Sequence, residues 1–194
     1  KELSLGKLIG LVGASTNPKE SVEIGLYEPI NAKGIALRIS YNLFDRITNI
    51  RDGLEVIEET MKSGAGLWLT ARLIKYLEKR FVVMDEDTNE KIADVKKNWC
   101  AMAKKAANSN ELINDADLGF VMWSWHDFGG VDDAKEWATE LISSSEGAIR
   151  FLLAMSTKRY SNTEPYFSLK IRKDDLAQFV NLDSLKKSID SLDE

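Results

Sequence analysis

The sequence predicts an all-α protein of stacked helical hairpins, with roughly eight to ten helices and at most one short extended segment. Three observations predict it. From residue 35 onward, apolar residues recur every three or four positions, the period of one helix face. Short polar or glycine-containing breaks separate these stripes. Hydrophobic residues make up 44% of the 194, against 29% charged, so the chain can bury a core.

Residues 1–35 are the least periodic and hold Pro18, Gly25, Pro29 and Gly34. They read as an irregular N-terminal segment or linker, with a short helix or extended piece over residues 5–14. Residues 36–194 read as the helical domain. Its first helix carries the stripe Leu37, Tyr41, Phe44 and Ile47. Asn49 opens the next, with Leu54, Ile57 and Met61 inside and Ser63 at its stop. A third contains Leu67, Trp68, Ala71, Leu73 and Ile74, apolar over a wide arc and therefore central. Residues 84–89 read as a polar connection. The cleanest stripe follows: Ile92, Val95, Trp99, Met102 and Ala106.

An aromatic-rich helix over residues 119–128 stops at Gly129-Gly130. Asp133 and Glu136 fit a capping box for a helix through Ile142, and Ser143 with Glu146 repeats the device. The helix after it contains Ile149, Leu152 and Leu153. Phe167, Leu169 and Ile171 alternate with polar residues and suggest the extended segment. Two short helices end the chain, over residues 174–180 and 183–192, with Asp183 as N-cap.

Composition narrows the function classes. The net charge of −5 makes nucleic acid a poor default partner. One cysteine, Cys100, cannot form an internal disulfide or a cysteine-based zinc site. One histidine, His126, rules out mechanisms that need two from this chain. No run of ~18 apolar residues exists for membrane insertion. The composition suits a cytoplasmic chain, and the start at Lys1 suggests a domain cut from a longer protein.

Five candidate constellations each have a plainer reading. Residues 9–18 look like the first strand and glycine turn of a CoA-binding Rossmann domain, which would make the chain a small-molecule sensor. That fold needs further strands alternating with helices. The stretch reads better as a loop near a helix end. A P-loop is absent: the Gly6-Lys7 pair is followed by Leu8 and no glycine lies five residues upstream. A metal site at His126, Asp127, Asp132 and Asp133 competes with helix capping by Asp132 and Asp133. Capping wins, so no metal or cofactor is expected, and His126 reads as a partly buried residue at a helix end. The rings of Phe120, Trp123, Trp125, Phe128 and Trp137 read as core between neighbouring helices, with one, Trp125, left for a partner. Lys96, Lys97, Lys104 and Lys105 read as a solvated helix face, with nucleic-acid contact the sharper alternative. Cys100 reads as a packing residue. The candidate partner contacts are therefore Trp125, His126, Lys104 and Lys105, with no catalytic residue among them.

Several tracts carry a family resemblance: residues 36–47 (ALRISYNLFDRI), 53–61 (GLEVIEETM), 118–125 (LGFVMWSW), 146–152 (EGAIRFL) and 179–185 (FVNLDSL). Together with Gly129-Gly130 and Glu136-Trp137-Ala138 they resemble the helical C-terminal region of KAP-type P-loop NTPases. That family includes bacterial phage-exclusion proteins. The resemblance spans roughly residues 36–190 and lies in packing and capping positions. It implies a non-catalytic regulatory or recognition domain in anti-phage defence, acting through protein contacts. The implied partner is the NTPase domain of the same polypeptide, and the whole protein would be an ATPase in some cases membrane-associated. Self-association or a phage component are further implied partners. A helical nucleic-acid-binding module is the alternative.

Overall fold

The computed structural model describes residues 4–14, 32–63, 66–82, 84–109, 111, 118–156 and 172–191. Among these the protein is all-α, with ten helices and no strand. They are α1 (Leu5–Ala14), α2 (Ala32–Phe44), α3 (Ile50–Lys62), α4 (Leu67–Arg80), α5 (Glu86–Asn108), α6 (Leu118–Asp127), α7 (Val131–Leu141), α8 (Ser145–Ser156), α9 (Lys173–Leu176) and α10 (Leu182–Asp190). The extended segment expected at Phe167, Leu169 and Ile171 lies outside the described residues, as does most of the 15–35 stretch. Among the described residues, no helix is long and apolar enough to cross a membrane. The chain divides into two compact units, Lys1–Trp99 and Cys100–Glu194, and the division falls inside α5.

In the first unit, α1 packs against α3 and α2, and α3 against α4. The glycines of α1 explain its closeness to α3. A Cβ on Gly6 would lie 2.6 Å from Glu59 Cβ, and one on Gly10 would lie 2.4 Å from Ser63 Cβ. Thr60 Oγ1 donates to Gly6 O at 3.3 Å. Gly6 and Gly10, four apart on one helix face, let two backbones meet. Gly10 is therefore not in a loop near a helix end or in a phosphate-binding turn. Ser15 to Pro18, the rest of that candidate, lie outside the described residues.

Asn49 caps α3 as expected, its side chain accepting from Arg51 N at 2.9 Å. Leu54, Ile57 and Met61 form the buried face. The wide arc of α4 is buried through Leu69, Ala71, Leu73, Ile74 and Leu77, while Leu67 and Trp68 stay half-buried. Arg80 closes the end of α2 by donating to Phe44 O and Asp45 O, both at 2.9 Å.

The polar connection expected over 84–89 is shorter than that. Asp85 Oδ1 accepts from Thr88 N at 2.8 Å, so α5 starts at Glu86. These bonds to Thr88, with smaller help from Arg51, hold the Asp85 carboxyl below the ordinary aspartate range. A depressed folded pKa stabilises above the unfolded value, and that stabilisation disappears as pH falls through the folded value. Thermal melts of the protein and of Asp85→Asn should therefore separate above about pH 4 and converge in stronger acid. Curves that stay parallel at every pH would refute a role for this charge.

Along α5, Ile92, Val95 and Trp99 are buried as expected, but Met102 and Ala106 are only half-buried. Ala103 and Ala107 take their places. The expected stripe advances 3.5 residues per turn, and a straight helix needs 3.6, so the buried line slips by one position.

In the second unit, α6 packs against α7 and α8, and α8 also packs against α7 and α10. Gly129 ends α6 with φ +100°, a left-handed conformation that glycine adopts without penalty. Gly129 N donates to His126 O at 3.2 Å and Gly130 N to Trp125 O at 3.0 Å, which satisfies two end carbonyls.

Three capping expectations shift by one to three residues. Because Gly130 precedes Val131 directly, α7 begins there, and Asp132 and Asp133 sit in its first turn rather than at its cap. Their charges suit that end of the helix dipole. Ser143 N donates to Glu140 O and finishes α7, leaving Ser144 to cap α8 by accepting from Gly147 N at 3.1 Å. Asn181, not Asp183, caps α10 and accepts from Asp183 N and Ser184 N, both at 3.0 Å. The helix expected over 174–180 ends at Leu176, where Leu176 O accepts from both Phe179 N and Val180 N.

Candidate functional site

The four expected contact residues all fall in the second unit, on α5 and α6. Trp125 is a correction. It is 0% exposed and offers nothing to a partner. The reason is Gly130: a Cβ there would lie 2.3 Å from Trp125 Cδ1 and Nε1, so the indole fills the room the missing side chain leaves. Cys100 completes this packing, its Sγ 3.9 Å from Trp125 O and 3.7 Å from Phe128 O. Trp123 points the opposite way, as a spacing of two on a helix requires, and meets Phe179 edge-on at 4.9 Å. Helix α6 therefore buries large rings on opposed sides. Phe128 and Trp137 are buried as well, and Phe120 is half-buried.

His126 stays half-buried at the end of α6. Its ring stands 6.0 Å from Trp123 and 5.6 Å from Phe179, and Nδ1 lies 3.7 Å from Asp127 Oδ1. Lys104 is exposed, but Nζ is 2.7 Å from Asp133 Oδ1. That hydrogen bond, then the Asp133 charge and Glu136, hold the ammonium above the ordinary lysine range. Lys96, in the first unit, is similarly engaged by Glu78 at 2.6 Å. Lys105 and Lys97 are exposed. Of Lys96, Lys97, Lys104 and Lys105, two are thus taken by acidic neighbours.

A different surface was not anticipated. On α8 the buried face is Gly147, Ala148, Phe151, Ala154 and Met155. Leu152 is half-buried, while Ile149 and Leu153, one turn apart, are 40% and 63% exposed. The open side of α8 therefore carries Ile149 and Leu153. Small residues decide this: Gly147 and Ala148 let the start of α8 come against Leu141, whose carbonyl would lie 1.8 Å from a Cβ on Gly147. The stripe 147, 151, 154 was visible in the sequence as a small–large–small pattern. Among the described residues, no group of three or more histidine, cysteine, aspartate or glutamate side chains is gathered to hold a metal ion.

Comparison with family models, with curated proteins and with solved structures returns no match.

Proposed function

We propose that this chain is a recognition or regulatory domain that works through protein contacts, as the C-terminal helical part of a KAP-type NTPase in phage exclusion. The observation that carries the contact role is the Ile149–Leu153 ridge. Two branched apolar side chains stand one turn apart on the open face of α8 while its other face is packed. Exposed apolar side chains side by side on a helix are the usual anchor of a helix-to-groove contact. The NTPase context rests on the sequence resemblance. The pairing of Lys96 with Glu78 and of Lys104 with Asp133 favours protein contact over a nucleic-acid backbone, because it spends the cations that phosphates would need.

Two experiments test this. The native reading frame upstream of the Lys1 codon should encode Gly-x-x-x-x-Gly-Lys-Ser/Thr after a hydrophobic strand, and a frame without it removes the NTPase context. In the full-length protein, Ile149→Asp with Leu153→Asp should abolish phage exclusion or its ATPase regulation. The melting temperature should stay within a few degrees, since surface substitutions change stability by about 0.5 kcal/mol or less. Unchanged activity in that variant, ATP hydrolysis by the isolated chain, or salt-sensitive binding of nucleic acid lost on charge reversal at Lys104 and Lys105 would each overturn the reading.

A further inference from the structure

The first unit holds a stacked tyrosine pair. The rings of Tyr41 on α2 and Tyr76 on α4 lie 4.6 Å apart at 22°. The Tyr76 hydroxyl donates to Asp45 Oδ1. Arg80 stands 3.6 Å from the same oxygen and fixes the Asp45 backbone by donating to its carbonyl. The Tyr41 oxygen is hydrogen-bonded to Arg72. A guanidinium only donates, so Arg72 offers no place for the Tyr41 proton, whereas the Asp45 carboxyl oxygen already accepts the hydrogen bond of Tyr76. Both phenols are neutral at ordinary pH. The Asp45 hydrogen bond raises the pKa of Tyr76, and burial raises that of Tyr41.

We propose that Tyr76 and Tyr41 form an oxidisable pair, a site at which a one-electron oxidant joins α2 to α4 as dityrosine with Asp45 as proton acceptor. An electron leaves Tyr76 for the oxidant while its phenolic proton crosses to Asp45, giving a neutral phenoxyl radical beside a carboxylic acid. A second equivalent of oxidant takes an electron from Tyr41, whose proton goes to water. The radicals join ortho carbon to ortho carbon, and the two displaced ring hydrogens move to the oxygens and restore both phenols. Asp45 then returns its proton to water. In sum the pair loses two electrons, to two equivalents of oxidant, and two protons, to solvent. The stack supplies the geometry, since neighbouring rings at this spacing need only a small slide to bring ortho carbons together.

The test is photo-oxidation of the dilute full chain with ruthenium tris-bipyridine and persulfate, followed by peptide mapping. The expected product is one intramolecular cross-link between the Tyr41 and Tyr76 peptides, two hydrogens lighter than their sum, with dityrosine fluorescence. Tyr41→Phe and Tyr76→Phe should each abolish it. Asp45→Asn should slow it by about tenfold, water being a poorer acceptor than a positioned carboxylate. Slower cross-linking of the unaltered chain in heavy water gives the same reading if that variant does not fold. Cross-linking between molecules, dityrosine through Tyr27, Tyr160 or Tyr166 instead, or no cross-link would overturn the pair. Rates that ignore both Asp45→Asn and heavy water would overturn the role of Asp45.

Discussion

Replacing Trp99 with alanine is expected to destabilise the first unit by about 3–5 kcal/mol, the usual result of deleting a buried tryptophan. Trp99 is fully buried and is among the largest side chains of the core. Its indole nitrogen also donates to Leu67 O and to Thr70 Oγ1, both at 3.0 Å, and so ties α5 to the start of α4. Alanine would leave a cavity and remove that donor together. Trp99→Phe keeps most of the volume and loses the donor, so it should cost less, about 1–2 kcal/mol. Urea titrations followed by far-ultraviolet circular dichroism measure both. A loss below about 1 kcal/mol for the alanine variant would mean that Trp99 is not the centre of this core.

The second large effect concerns the smallest side chain. Gly147→Ala should destabilise the second unit by about 3 kcal/mol or more, although alanine is the better helix former by about 1 kcal/mol. The added methyl would meet Leu141 O at 1.8 Å and Leu141 C at 2.8 Å. Backbone cannot swing aside as a side-chain end can, so α8 would have to move off α7. The adjacent Ala148→Gly makes the control: it removes a buried methyl without adding bulk, and should cost nearer 1–2 kcal/mol. A Gly147→Ala protein that melts at the original temperature would show that α8 does not lie against Leu141.

Local signals in this sequence were reliable where one residue type does one job. Asn49 caps α3, Gly129 ends α6, and Leu54, Ile57 and Met61 point inward, because each follows from helix geometry over a few residues. Competition between neighbouring residues of similar chemistry was less legible. Ser143 and Ser144 are equally good caps, as are Asn181 and Asp183. The choice depends on where the preceding element ends, which the local pattern does not contain. The candidate surface failed differently. Trp125 looked available because large rings often anchor partners, yet the room beside Gly130 takes it in. The open ridge of Ile149 and Leu153 follows from the small residues Gly147 and Ala148, which set the buried face of α8.

Helicity, the rough position of each helix and the core positions carried by period alone were legible in the residues. These properties are local: hydrogen bonds span four residues and an apolar stripe repeats within a turn. Tertiary structure alone decided which side of α8 is open, that Gly6 and Gly10 pack helix on helix, and that Tyr41, Tyr76 and Asp45 share one site. Those outcomes depend on which backbones approach closely, as at Gly147 and Leu141, and on contacts between residues 31 and 54 positions apart. Such contacts are set by packing density across helices, and no short window of sequence records it.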